Sequence, residues 1–423
     1  MNEKPLTTRF RPDGETLTLN EYRKTGGYQA LAKVLKSMSQ AEVVEVVKES
    51  CLRGRGGAGF PTGLKWAATG DEGRHPKYFV VDADEMEPGA FKDRLLMEGD
   101  PHQLIEGIVI GAYATQAEFS IIFIRWEYAE AQKRLRHAIG EAYGNNLLGK
   151  NILGSGFSHD LHLHVSAGRY ICGEGGALLD SLEGKRAIPR YRMPRSTEVG
   201  LWGRPTITNN VETVCNVPHI VNNGAQWYKS LSRSVDGGTK IYGVSGRVKR
   251  PGAWELPMGT TVRELLEEYA GGMRDGFRFR GLLPGGASTD FLIEEHLDAK
   301  MDFDSLQPFG SRLGTGTMIV LDDRTCPVGM LHNLEQFFAQ ESCGWCTPCR
   351  EGLPWTAAIL KAMEEGQGRP EDLERLKLHT VYLGLGNTFC ALAPGAMEPL
   401  QSALKYFHED FERHITEKRC PWR

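Results

Sequence analysis

No stretch of these 423 residues is apolar for long enough to cross a bilayer, and the opening MNEKPLTTRFRPDGETL lacks the apolar core of a signal peptide. The expectation is a cytoplasmic protein, or the soluble part of something larger. Neither sign of charge dominates: 50 Lys and Arg face 54 Asp and Glu, a formal net charge of −4. That balance removes the electrostatic case for nucleic acid or an acidic membrane surface as a partner. Nine cysteines, an odd number without an export signal, argue against a disulfide framework and for a metal or cluster site. What remains is an ordinary globular composition, 40% hydrophobic and 25% charged, in a chain long enough for two or three domains.

The most informative stretch runs Gly54-Arg55-Gly56-Gly57-Ala58-Gly59-Phe60-Pro61-Thr62-Gly63-Leu64-Lys65. Residues without Cβ atoms let a backbone turn through positive φ and approach a flat or phosphorylated ligand. Arg55 and Lys65 add positive charge on either side, which suits an anion held on backbone N–H groups. Gly54, Gly56 and Gly59 satisfy G-x-G-x-x-G, but that fingerprint needs a strand before it. Here QAEVVEVVKESC, residues 40–51, has the period of an amphipathic helix. The stretch therefore reads as a phosphate- or cofactor-binding loop outside the usual dinucleotide-binding turn.

Downstream, strands alternate with helices to about residue 235, which predicts an α/β layer. A strand at 77–81 ends in Asp82-Ala83-Asp84-Glu85-Met86-Glu87-Pro88-Gly89, four carboxylates where α/β sheets place binding groups. A strand at 161–165 leads through Gly168 to Gly176 into a second helix start, again suited to anions. The segment 188–195 is extended and basic, and Thr208-Asn209-Asn210-Val211-Glu212-Thr213 reads as a polar run opening a helix. From residue 236 the pattern changes to a small α+β module of β-grasp order, with 251–259 as a turn-rich link. Four helices, at 331–340, 351–365, 370–384 and 395–416, predict a bundle. The expected fold is a multidomain α/β protein divided at 1–235, 236–325 and 326–423.

Cys343, Cys346 and Cys349 form C-x-x-C-x-x-C. That spacing brings three thiolates to one side of a tight loop, as iron–sulfur clusters require, with a fourth cysteine from elsewhere. Zinc usually takes paired C-x-x-C units or helix-spaced histidines, and no such pair accompanies this triplet. Spacing alone leaves the fourth ligand open among Cys326, Cys390 and Cys420; Cys326 and Cys420 each precede proline.

Taken together, Gly54–Lys65, Asp84 with Glu87-Pro88-Gly89, Tyr170-Ile171-Cys172-Gly173-Glu174, Asn209–Thr213 and Glu341–Arg350 resemble the NADH-binding flavoprotein subunits of respiratory complex I, the F subunits of bacterial NADH:quinone oxidoreductases. The resemblance runs from about Leu19 to Tyr406, and five motifs in order make it specific. Diaphorase subunits of hydrogenases and formate dehydrogenases share the pattern. It implies a Rossmann-like FMN domain, a β-grasp domain and a helical [4Fe–4S] domain. It implies FMN on Gly54, Arg55, Gly56, Gly57, Ala58 and Gly59, with Lys65, Asp82, Asp84, Tyr170, Gly173, Glu174, Asn209, Asn210 and Thr213 around it. Phe60 and Glu87 are then expected on the nicotinamide side of NAD(H), and Cys390 as the fourth cluster ligand. The implied activity is hydride transfer from NADH to FMN, then single electrons to the cluster and on to quinone through partner subunits. Glu87 and Glu174 are assigned to positioning and field within this chemistry. By the same resemblance a thioredoxin-like [2Fe–2S] subunit and a large multi-cluster subunit are expected, in the peripheral arm of an inner-membrane complex.

Three positions depart from the family pattern. Gly175 stands where a second carboxylate is usual, Arg195 replaces an aromatic residue near Arg190 and Arg192, and Asp82 replaces an asparagine that contacts flavin. A lost carboxylate and nearby arginines would admit a 2′-phosphate, so NADP(H) competes with NAD(H) as the expected dinucleotide. The shared pattern keeps a diaphorase subunit of a soluble hydrogenase or formate dehydrogenase as an alternative, and Asp82 and Gly175 keep a cluster-bearing subunit that has lost flavin activity.

Overall fold

The computed structural model describes residues 3–69 and 73–423; Met1 and Asn2 of the polar lead lie outside them. Two compact units account for the chain. The first comprises residues 1–86, 91–241 and 255–259; the second comprises 87–90, 242–254 and 260–423.

The first unit is built on a four-stranded sheet, β1 (Tyr78–Ala83), β2 (Phe119–Arg125), β3 (Asp160–Ser166) and β4 (Thr206–Asn210), in the order β3-β2-β1-β4. All three neighbouring pairs are parallel, in the register Asp82 opposite Phe123 on one side and Asn210 on the other. Parallel strands need covered faces, and the sequence supplies them. Val80, Val81, Ile122 and Phe123 are fully buried in the strands, and nearly every residue of the helix Pro101–Thr115 is buried against them. This is the α/β layer that the alternation predicts, of the Rossmann-like kind that the resemblance implies.

β4 is a correction. Thr208, Asn209 and Asn210, expected to open a helix, finish a strand instead, and the helix starts at Val211. Pairing with β1 outweighs the polar composition, because the strand's hydrogen bonds satisfy its buried backbone. The glycine loop behaves as expected. It joins the helix Gln40–Glu49 to the helix Thr62–Ala67 and is closed by Gly54 N–H to Phe60 C=O, 2.9 Å, and Thr62 N–H to Leu52 C=O, 2.9 Å.

A second sheet contains β5 (Thr239–Ser245), β6 (Gly252–Pro257), β7 (Phe279–Leu283) and β8 (Thr317–Asp322), in the order β6-β5-β8-β7. β5 and β8 are parallel and β7 and β8 antiparallel. β6 replaces the turn-rich link expected over 251–259. The α-helices of the second unit are Pro327–Glu341, Thr347–Glu364, Pro370–Tyr382, Leu392–Tyr406 and His408–Glu417. The single helix expected over 395–416 is therefore two. Phe407, at φ −124° and ψ 28°, interrupts it, with its ring buried edge-on against Phe291 at 5.2 Å. Burying that ring takes precedence over continuing the helix. No helix is long and apolar enough to cross a membrane among the described residues.

Candidate functional site

In the first sheet the chain runs outward from β1 to β2 and β3, then returns to the other side of β1 as β4. The direction of winding reverses between β1 and β4. In open α/β sheets, ligands bind at the carboxyl ends of the strands beside such a reversal. The residues placed there are Asp82 and Asp84 from β1 and the turn after it, and Asn209 and Asn210 from β4.

Two of these four carry polar atoms that the described residues leave unanswered. Asp84 is buried; its Oδ1 accepts a hydrogen bond from Ser166 Oγ at 2.7 Å, but its Oδ2 has no partner among the described residues. Asn209 is buried on the adjacent strand, and its Nδ2 donates to none of them. An unsatisfied buried polar atom costs about 1–3 kcal/mol, so a native site that keeps one acceptor and one donor in this state is poised for a polar ligand. Burial raises the Asp84 carboxyl to about 6, and burial together with Asp84 raises Asp82 to about 7. Asp82 Oδ1 accepts the Asp84 N–H at 3.1 Å, which fixes the turn.

The glycine loop is held against this edge by two contacts. Arg55 N–H donates to Thr213 Oγ1 at 2.8 Å, and a Cβ on Gly56 would lie 3.1 Å from Asn210 Cβ. Gly57 and Gly59 have φ of 127° and 65°, conformations that L side chains rarely adopt. Phe60 projects from the loop with about half of its surface exposed. Lys65 Nζ reaches the carbonyl of Thr208 at 2.9 Å, and burial lowers its pKa, offset in part by Asp82.

Arg55 corrects the expectation of a cation flanking the loop. Its side chain is fully buried and turns inward, donating to the carbonyls of Gly237 at 2.7 Å and Thr239 at 3.1 Å. Only its backbone belongs to the loop. Thr213 and Asn210 likewise serve the scaffold. Thr213 Oγ1 holds the loop, and Asn210 caps the helix Val211–Cys215 through Oδ1 to Glu212 N–H while its Nδ2 donates to Asp93.

Behind Asn210 lies a feature invisible in the sequence. Lys92 Nζ meets Asp93 at 2.7 Å and Glu212 at 2.9 Å, and Lys240 Nζ meets Glu212 at 3.1 Å. All four side chains are almost completely buried. Burial alone would raise the Glu212 carboxyl; Lys240 and Lys92 hold it at about 2.

On the other flank, Tyr170–Gly173 is a short 3₁₀ turn leading to the helix Gly175–Leu182. Glu174 caps that helix, its Oε2 accepting the Ala177 N–H at 2.9 Å. A Cβ at Gly173 or Gly175 would meet no atom within 4 Å, whereas one at Gly176 would meet the Arg190 backbone at 2.5 Å. Arg190 is committed to Asp180 and Glu183 at 2.7 and 2.8 Å, which removes it from the candidate phosphate ligands. Arg192 and Arg195 are exposed. Glu87 belongs to the second unit, where its Oε1 accepts the Ser288 N–H at 2.7 Å.

Also in the second unit, Cys343, Cys346 and Cys349 occupy the loop between the helices Pro327–Glu341 and Thr347–Glu364 and the first turn of the latter. Cys349 Sγ lies 3.2 Å from Ser342 Oγ. Phe389 N–H, next to Cys390, donates to Cys346 Sγ at 3.2 Å. Backbone N–H to sulfur bonds of this kind suit a thiolate that ligates a cluster. Cys326 and Cys420 lie together elsewhere, beside Glu364 and His414.

Comparison with known proteins identifies three regions of the chain. Residues 47–219 match the family model of the Nuo51 FMN-binding domain, residues 241–291 the SLBB domain, and residues 329–414 the NADH-ubiquinone oxidoreductase-F iron-sulfur binding region. The chain is 56% identical to the NADH-quinone oxidoreductase F subunit of Salmonella typhimurium and to that of Escherichia coli. Each alignment runs over 412 residues, 97% of this chain and 93% of the relative. Among solved structures it resembles the NAD+-reducing [NiFe]-hydrogenase in the H2-reduced state, with 31% identity and a TM-score of 0.83, over 96% of this chain and 67% of that one. A flavin fits the first unit: the free acceptor of Asp84 and the free donor of Asn209, at the sheet edge against which the glycine loop is held, suit a flat heterocycle carrying both donors and acceptors. A thiolate-held cluster fits the second, where three cysteines and the segment of Cys390 adjoin. With identity of this order over nearly its whole length, the chain belongs to the family of NADH-quinone oxidoreductase F subunits.

Proposed function

We propose that this chain is the electron-input subunit of an NADH:quinone oxidoreductase, taking electrons from NADH on FMN and passing them to a [4Fe–4S] cluster. FMN supplies the conversion between a two-electron hydride donor and a one-electron cluster. The chain's residues bind, orient and exclude water. In this reading the loop backbone from Gly54 to Gly59, Asp84 Oδ2 and Asn209 Nδ2 seat the flavin, with Lys65 and Asp82 bordering it. Phe60 offers an aromatic face to the nicotinamide, and Tyr170, Gly173 and Glu174 position the dinucleotide and flavin without covalent chemistry. Cys343, Cys346, Cys349 and Cys390 ligate the cluster. The observation that carries the reading is the unmatched acceptor and donor at the sheet's reversal point.

The three matched spans support a division into FMN, β-grasp and cluster modules at 1–235, 236–325 and 326–423. The relatives are named as subunits, which supports partner subunits here. A thioredoxin-like [2Fe–2S] subunit and a large multi-cluster subunit would receive the electrons within a peripheral arm, quinone being reached only through the membrane part.

An absorption spectrum of the purified chain, with ferricyanide reduction by each dinucleotide, tests the reading. Flavin bands over a broad cluster absorption, with NADH turnover, are expected. Cluster absorption without flavin bands would reduce the chain to a cluster carrier. The open Gly175 and exposed Arg192 and Arg195 keep NADPH as a second reading; NADPH activity below about a hundredth of NADH activity, roughly 3 kcal/mol of discrimination, rejects it.

A further inference from the structure

Four metal-ligating side chains of the second unit converge on one point. Cys326 Sγ, a Glu364 carboxylate oxygen, a His414 ring nitrogen and Cys420 Sγ all lie within 4.8 Å of one another. Glu364, His414 and Cys420 are buried and Cys326 is half-buried. We propose that these residues form a closed, four-coordinate site for a structural zinc ion, distinct from the iron–sulfur site.

The donor set is the first argument. Two thiolates, one imidazole and one carboxylate are ligands zinc takes, and four protein ligands leave no open position for catalysis. A tetrahedron with zinc bond lengths of about 2.0–2.3 Å has edges of about 3.3–3.8 Å. Here Glu364 Oε1 is 2.9 Å from both Cys326 Sγ and His414 Nε2, and Cys326 Sγ is 3.3 Å from Nε2. A small outward relaxation reaches tetrahedral spacing.

Orientation is the second argument. His414 Nδ1 lies 2.6 Å from the Asp410 carbonyl, which requires a proton on Nδ1. In neutral histidine the lone pair then sits on Nε2, aimed at the carboxylate and the thiol together. A divalent cation answers all these lone pairs at once, and a backbone carbonyl behind the ring is the usual support of a metal-bound histidine. Gly329 N–H donates to Cys326 Sγ at 3.2 Å, so a backbone group as well as the metal would be aimed at this sulfur. Arg423 lies 3.2 Å from Glu364 Oε2. Two thiolates and a carboxylate would thus face the two charges of zinc, with the exposed Arg423 guanidinium offsetting the third negative charge from the surface.

Position is the third. Cys326 precedes the helix Pro327–Glu341, Glu364 ends Thr347–Glu364, His414 is in His408–Glu417, and Cys420 lies in the segment after it. One ion would pin three helices and the following segment, with Trp422 stacked 5.9 Å from the His414 ring. This accounts for the two Cys-Pro positions that do not join the Cys343–Cys349 triplet.

The test measures iron and zinc in the purified full-length chain, with X-ray absorption at the zinc edge. The expected result is one zinc per chain, bound by two sulfurs at about 2.3 Å and two lighter atoms at about 2.0 Å. Cys326→Ser with Cys420→Ser should abolish zinc while iron and flavin content stay unchanged. Should that variant fail to fold, His414→Cys should keep the zinc and give it three sulfurs. A chain that binds no zinc even after dialysis against it overturns the proposal. So does a zinc shell of four sulfurs, which places the ion in an emptied cluster site, or one without sulfur, which marks adventitious metal.

Discussion

Asp82 and Asp84 stand two residues apart with carboxyls raised to about 7 and about 6. A carboxyl whose folded pKa exceeds its unfolded value binds more protons when folded, so stability falls as pH climbs from about 4 to the folded pKa. Asp82→Asn should remove the larger of these penalties. Its thermal midpoint should match the parent at or below about pH 4 and exceed it increasingly up to about pH 7, by a stabilisation on the order of 4 kcal/mol. A gain independent of pH would contradict the assignment. Glu212 has the opposite sign. Its carboxyl, held at about 2 by Lys240 and Lys92 against burial, stabilises fully above its unfolded pKa of about 4.3 and loses that contribution as pH falls toward 2. Glu212→Gln leaves Lys240 buried without its partner and should cost about 3–5 kcal/mol in chemical denaturation. Asn209→Ala removes an unmatched donor, so the chain should fold normally; flavin content after gel filtration should fall several-fold. Of these residues, the sequence made Asp82, Asp84 and Asn209 visible as polar groups in a motif. Lys92, Lys240 and Ser166 were not legible, because their roles depend on partners distant in the chain and no local pattern marks them.

The helices flanking the glycine loop set its shape. Gly63, in the helix Thr62–Ala67, packs so closely on the helix Gln40–Glu49 that a Cβ would fall 2.4 Å from Lys48 Cα, a backbone atom that cannot swing away. Gly63→Ala should therefore separate the two helices, destabilise by about 1–3 kcal/mol and lower flavin retention, read together from a denaturation curve and the flavin absorbance. At this scale the sequence was most legible where periodicity was strong. β2, Phe119–Arg125, and the helix Pro101–Thr115 are specified locally, by apolar spacing and by a capping Asp100. It was least legible at β4 and β6, whose residues mix Thr, Asn, Trp and Glu without alternation and become strands through pairing. The break at Phe407 was equally hidden, since it answers to Phe291 in another element.

In the molecule as a whole, Asp84 and Asn209, proposed to meet the flavin, belong to the first unit, and the cysteines proposed to hold the cluster to the second. Cys390→Ser should consequently strip iron to near background while flavin content and the flavin absorption bands persist; coupled loss of both would show that the two units do not hold their cofactors independently. The sequence by itself determined the α/β class, the cysteine triplet with its cluster chemistry, the glycine loop and the family. These rest on periodicity, on ligand spacing within a few residues and on backbone freedom, all of which are local. Tertiary structure decided the rest. It turned Arg55 into a buried strut, committed Arg190 to Asp180 and Glu183, and left Asp84 Oδ2 and Asn209 Nδ2 as the open pair. It also gathered Cys326, Glu364, His414 and Cys420 at one point. The physical reason is the same each time. Hydrogen bonds and ligand bonds act over a few ångströms in space, and the groups they join lie tens to hundreds of residues apart along the chain.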